Sequence, residues 1–123
     1  MDLRDTADEA AFRAELRDWL DANLTEDLRG NRGGAARYDD GSVREWSRAL
    51  YEAGYSGLTW PKEYGGGGRP YSYQAIFLEE IARAEAPQHP GVIGLGMAGP
   101  TIIAFGTEAQ TARYLQPLLS ADE

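Results

Sequence analysis

TADEAAFRAELRDWLDANL, Thr6 to Leu24, carries every mark of an amphipathic helix. Thr6 and Glu9 stand three residues apart, the spacing at which a hydroxyl and a carboxylate satisfy each other's backbone N–H groups at a helix start. Phe12, Leu16, Trp19, Leu20 and Leu24 then return at intervals of three and four, forming one apolar stripe. Glu9 with Arg13 and Arg17 with Asp21 are four apart, placed for ion pairs on exposed faces.

The same grammar continues outward. RGNRGGAARYDDG, at 29–41, is polar and glycine-rich and predicts a mobile loop. Ser42 and Glu45 form a second capping-box pair, followed by the stripe Val43, Trp46, Leu50 and Ala53, with Gly54 where a C′ glycine belongs. Trp60 precedes a proline and is biased to extended geometry. It leads through an ordered turn into four glycines, so residues 65–70 are expected to be mobile. A third helix is expected from Ser72 through Tyr73, Ile76, Phe77, Ile81 and Ala84, ended by Pro87 and Pro90. Gly91 to Phe105 predicts two short helical pieces divided at Gly99–Pro100. Thr107 and Gln110 form a third capping box, opening a helix that Pro117 is expected to stop. There is no alternating strand and no repeat. The expected fold is all-α, an irregular or orthogonal bundle of five to six helices in a single domain over 1–123.

A chain of 123 residues has room for one domain. It has no cysteine, which excludes disulfides and thiol chemistry, and one histidine, His89, which excludes a histidine-rich metal site. The net charge is −8 with a single lysine, Lys62, so phosphate-neutralising nucleic-acid binding is not expected. The amino terminus is acidic and lacks a signal-peptide pattern. The uncharged stretch Ala86–Thr107 is long enough to span a bilayer but carries three prolines and five glycines, so no membrane partner is expected and the localisation expected is cytoplasmic.

Several motifs invite a chemical reading. Gly94-Leu95-Gly96-Met97-Ala98-Gly99 spells the dinucleotide fingerprint G-x-G-x-x-G, which needs a strand before it and a helix after it. Only Gly91, Val92 and Ile93 remain as a strand, so tight packing or backbone cleared for a neighbour is the preferred reading. The run Gly65–Gly68 lacks the Gly-Lys-Ser/Thr ending of a phosphate loop. Glu79 and Glu80 are adjacent, so they point to different sides of a helix and read as surface charges, one of them available for an ion pair. His89 between prolines reads as a polar group of a turn or pocket wall. No complete catalytic constellation is present.

The order of motifs resembles the acyl-CoA dehydrogenase family. Trp60-Pro61-Lys62-Glu63-Tyr64-Gly65-Gly66 is similar to its P-x-E-Y-G-G turn, Arg44 to Gly57 to its second-helix pattern, and Leu78 to Ala84 to its third-helix signature. Gly99 to Gln110, followed by Arg113-Tyr114-Leu115-Gln116-Pro117, resembles the family's G-T-E-x-Q…Y-L-P segment, with Gln116 inserted. The resemblance runs from about Ala10 to Glu123 and implies the family's amino-terminal helical domain. It implies FAD and an acyl-CoA substrate in an oligomeric parent enzyme. The flavin site and the catalytic glutamate belong to a β-domain and a second helical bundle, whose sequences lie beyond this chain. LLSADE at its close reads as the edge of a longer protein. No catalytic or flavin residue is carried over, and the chain alone is expected to be inactive. What carries over is part of an acyl-pocket wall: His89, Pro90, Ile93, Gly94 and Met97. A core-filling role for Met97 is the open alternative, and a non-enzymatic helical interaction module, or a fragment pairing with a partner subunit, is the alternative for the whole chain.

Overall fold

The Thr6 capping box forms as its spacing dictates. Thr6 N donates to Glu9 Oε1 at 2.8 Å, and Glu9 N donates to Thr6 Oγ1 at 3.2 Å. From it runs α1, Ala7–Asn23, which buries Phe12, Leu16 and Leu20. The computed structural model describes residues 4–25, 40–87 and 94–120, with backbone alone at 40–43 and at 94. The helices that follow are α2 (Asp40–Glu52), α3 (Tyr71–Arg83), α4 (Gly99–Phe105) and α5 (Glu108–Ser120). A 3₁₀ turn at Lys62–Tyr64 follows α2, and a π-helical turn at Gly94–Ala98 leads into α4. The described residues contain no strand, so the fold is an all-α bundle.

Two helix ends show why the chain turns where it does. At the end of α2, Gly54 takes φ +87° while Tyr55 N reaches Leu50 O and Gly54 N reaches Tyr51 O. That is the double bond pattern of a Schellman cap, for which a left-handed C′ glycine is best suited. The end of α3 repeats it with Ala86 N to Ile81 O and Glu85 N to Ala82 O, but Glu85 occupies the left-handed position at φ 56°.

The core has two parts. In the first, α1, α2 and α3 close around Phe12, Leu16, Leu20, Trp46, Leu50, Tyr55, Ile76 and Ile81. Aromatic rings knit it together: Trp19 lies 5.4 Å from Trp46 and 5.5 Å from Tyr55, and Phe12 lies 4.9 Å from Tyr73. In the second part, Trp60, Leu115 and Leu119 are buried, with Tyr51, Tyr64, Leu95, Ile102 and Ile103 packed around them.

Several sequence expectations change here. Asp40 and Gly41 belong to α2, so Ser42 sits inside its first turn rather than at its cap, and the rest of the loop read at 29–41 falls outside the described residues. The glycine run is fastened at Gly66, Gly67, Gly68 and Arg69, whose N–H groups bond to the carbonyls of Pro61, Gly57, Trp60 and Leu58. A Cβ at Gly66 would collide with the Trp60 backbone, so this close return of the chain requires glycine. Pro117 does not stop α5, which continues to Ser120. A proline inside a helix costs about 3 kcal/mol. Burial of Leu115 and Leu119 on either side of it offsets that cost.

Arg13 and Arg17 do not pair along their own helix. Both turn toward α3, where Glu80 is 1% exposed and not a surface charge at all. Arg17 Nε lies 2.5 Å and Arg83 Nε 3.0 Å from Glu80 Oε1, and Arg13 Nη1 lies 3.0 Å from Oε2. Arg13 also holds Glu79 at 2.9 Å and Asp5 at 2.8 Å. Burial pushes the Glu80 carboxyl up, but the hydrogen bonds from Arg17, Arg83 and Arg13 outweigh it and hold the pKa at about 2, against an ordinary 4.5. A carboxylate whose pKa is depressed on folding stabilises the fold fully above its unfolded value and loses that contribution as pH falls toward the folded one. Stability is therefore expected to drop between pH 4.5 and about 2, and Glu80→Gln should flatten that part of the curve in acid-dependent thermal melts. Glu80→Ala removes the carboxylate from Arg17 and Arg83, both about half exposed, while Arg13 keeps Asp5 and Glu79, and should cost about 1–3 kcal/mol in urea unfolding at pH 7.

Candidate functional site

The residues predicted to form a pocket wall divide by position. His89, Pro90 and Ile93 lie outside the described residues. Gly94 opens the π-helical turn and Met97 lies within it, 66% exposed. The core-filling alternative for Met97 does not hold in this chain, because its side chain faces outward.

Apolar side chains are also exposed on the two helices that follow. Phe105, the last residue of α4, is 87% exposed, and Tyr114 on α5 is also exposed. Between α4 and α5 runs an open groove of about 290 Å³, lined by Thr101, Ile102, Phe105, Gly106, Gln110 and Tyr114. Thr101 Oγ1 donates to Met97 O at 2.7 Å, tying the π-helical turn to the first turn of α4. At the other end, the third capping box is formed: Thr107 N donates to Gln110 Oε1 at 2.9 Å and Gln110 N to Thr107 Oγ1 at 3.2 Å. α4 is thus held at both ends while its outer side stays open.

Among the described residues, no lysine, arginine or carboxylate lines the groove. The surface can exclude water from an apolar chain or ring system, with the hydroxyls of Thr101 and Tyr114 and the amide of Gln110 as its polar side-chain groups. The G-x-G-x-x-G spelling is helical, and the space beside the Gly96 Cα is open. No strand precedes it among the described residues. These residues do not fit a dinucleotide or flavin diphosphate, which needs amide donors converging at a strand-to-helix turn. Among the described residues there is also no cluster of metal-ligating side chains, and no helix is long and apolar enough to cross a membrane.

Sequence reasoning passed over Phe105, Thr101 and Tyr114. Phe105 follows Thr101 at the i,i+4 spacing, but in a helix of seven residues the buried and open sides cannot be told apart from pattern alone.

Fold and surface together define an all-helical module with one side of its second core left open. Residues 6–122 match the family model described as acyl-CoA dehydrogenase, N-terminal domain. The chain belongs to that family. It is 39% identical over 116 residues to acyl-CoA dehydrogenase IpdE1 of Mycolicibacterium smegmatis, covering 91% of this chain and 30% of that protein. Among solved structures, the ChsE4-ChsE5 complex from Mycobacterium tuberculosis superposes with a TM-score of 0.81 at 32% identity, over 99% of this chain and 30% of that one. A protein described as the Tcur3481-Tcur3483 steroid ACAD gives 0.79 at 36% identity, over 99% and 31%. The chain spans about a third of the length of these relatives.

Because Phe105 is open and Leu119 fully buried, the two should respond oppositely to substitution. Phe105→Asp should change unfolding free energy by less than about 0.5 kcal/mol. It should also reduce any concentration-dependent association seen in sedimentation velocity. Leu119→Ala should cost about 2–5 kcal/mol.

Proposed function

We propose that this chain is the amino-terminal module of an FAD-dependent acyl-CoA dehydrogenase that introduces an α,β double bond into an acyl-CoA thioester. Its part is to supply apolar wall and interdomain packing. The observation that supports this reading is the uncovered Met97 on the π-helical turn, in the segment before α4 that the resemblance assigns to the family's acyl-pocket wall, with Phe105 also uncovered at the end of α4. Gly94 clears space and Met97, a deformable thioether, adapts to the shape of what lies against it. His89, Pro90 and Ile93 complete the wall in this reading. The catalytic carboxylate and the flavin site are assigned to the parts of the relatives that this chain does not span.

The acyl group proposed is bulky rather than a slender aliphatic chain. Support comes from the small residues that punctuate 94–99 and from the solved relative described as a steroid ACAD. A partner subunit is also part of the proposal, since both solved relatives are described as pairs of differently named components.

Two measurements test the division of labour. The 123-residue chain purified alone should carry no stoichiometric flavin absorbance and reduce no dye with any acyl-CoA, and either signal would overturn it. In a full-length enzyme carrying this domain, Met97→Trp should leave flavin content and melting temperature unchanged while lowering kcat/KM for bulky acyl groups relative to small ones by roughly tenfold or more. An unaltered substrate ranking would remove Met97 from the site.

A further inference from the structure

The π-helical turn at Gly94–Ala98 has a gap in its hydrogen bonding. In a π ladder each N–H bonds to the carbonyl five residues back, so the next rung after the turn would run from residue 100 to Leu95 O. Residue 100 is proline and has no N–H. The carbonyl of Leu95 is instead met from outside the helix: Trp60 Nε1 donates to it at 3.2 Å, across 35 residues of sequence. Trp60 is 4% exposed and packs in the second core with Leu115 and Leu119. Its own position is fixed by the hydrogen-bonded return of residues 66–69. The neighbouring carbonyl, Met97 O, is capped by Thr101 Oγ1 at 2.7 Å.

We propose that the indole N–H of Trp60, by taking the carbonyl that Pro100 leaves without a helical donor, holds the turn in π register and makes Trp60 a positioning residue for acyl-group selectivity. A return to α register would rotate Met97 about the helix axis relative to α4, because the two ladders differ by one residue per hydrogen bond. The side chain of Met97 would then present a different face to whatever occupies the wall. Trp60 touches no substrate in this arrangement and acts only through the backbone of Leu95. The selectivity half of the proposal rests on the reading of Met97 as pocket wall, whereas the register half does not.

The test separates the two. In this chain, Trp60→Phe keeps an aromatic ring and removes the N–H, and amide hydrogen exchange over residues 95–101 should accelerate by roughly five- to tenfold beyond any change elsewhere, the scale of one lost hydrogen bond. Adding Pro100→Ala supplies a backbone N–H within reach of Leu95 O, so the double variant should recover slow exchange. Should phenylalanine leave too large a void for folding, benzothienylalanine at position 60 preserves the ring volume and lacks only the N–H. Unchanged exchange at 95–101 in the single variant, or no recovery with Pro100→Ala, overturns the register proposal. In the full-length enzyme, Trp60→Phe should shift the ratio of kcat/KM between bulky and small acyl-CoAs, and Pro100→Ala should restore it. Faster exchange with an unmoved ratio overturns the selectivity role of Trp60. The wall reading itself then stands or falls on Met97→Trp alone.

Discussion

A carboxylate that reaches no bulk water sets the geometry of the first core. Glu80 lies on α3, and two of its three arginine partners lie on α1, one turn apart at Arg13 and Arg17. Burying an unpaired carboxylate costs several kcal/mol, so α1 can dock on α3 only in the register that delivers both guanidiniums. Apolar contacts between Phe12, Leu16, Leu20 and Tyr73, Ile76, Ile81 supply the larger attraction, but such surfaces tolerate sliding by a turn. The ion cluster does not tolerate it. Its value lies in choosing among packings more than in adding stability, because well-fitted apolar side chains could replace it at little cost. With α1 and α3 locked, Tyr55 and Trp46 have a fixed floor to pack on, and Trp46 Nε1 closes the far edge by donating to Pro87 O at 3.2 Å.

The second core is built on different terms. It contains no buried ion pair among the described residues and depends on how closely the backbone can return to Trp60. Gly57 and Gly66 are the positions where a Cβ would strike Leu119 or the Trp60 backbone, so glycine there permits α5 and the turn to meet around the indole. Tyr51 of α2 reaches the same region, where Gln116 Nε2 donates to its hydroxyl at 3.4 Å. Trp60 therefore joins three things at once: the end of the turn from α2, the buried side of α5 and the carbonyl of Leu95.

What could be read from sequence was local. The Thr6–Glu9 and Thr107–Gln110 boxes, Gly54 at the end of α2 and the stripe of α1 depend on residues within one or two turns of each other, and they form as their spacing implies. Glu80 could not be read that way. Its sequence neighbour Glu79 is the same residue type, and only partners 63 and 67 positions away decide which of the two is buried. Pro117 misled for a related reason: the rule that proline ends a helix is a local cost, and the burial that overcomes it belongs to Trp60 and its neighbours. The hydrogen bonds of the glycine run could not be read from it, because their partners, Gly57 to Pro61, lie before it in a turn whose closure a linear pattern does not encode. At the site, spacing placed Gly94 and Met97 on one short segment, yet whether that segment faced core or solvent was a tertiary question.

The open side of the second core follows from the length of α4. Seven residues are too few for a helix to stand alone in water, where fewer than about 12 are marginal. Its persistence requires constraints at both ends. Trp60 and Thr101 supply one by bonding to the π-helical turn, and Gly106 with the Thr107 box supplies the other. A Cβ at Gly106 would press on Ile102 O, so the tight exit from α4 is also specified by residue type. A helix fixed in this way needs few of its side chains for its own stability. Ile102 and Ile103 pack against the core, while Phe105 and, on the preceding turn, Met97 remain outside. Exposed apolar side chains on a rigid, end-tethered support are costly in a free domain and useful in one that presents a surface to another apolar body. The first core, with its ion cluster, spends its apolar residues inward, and the second uses its glycines and Trp60 to hold a short apolar face still.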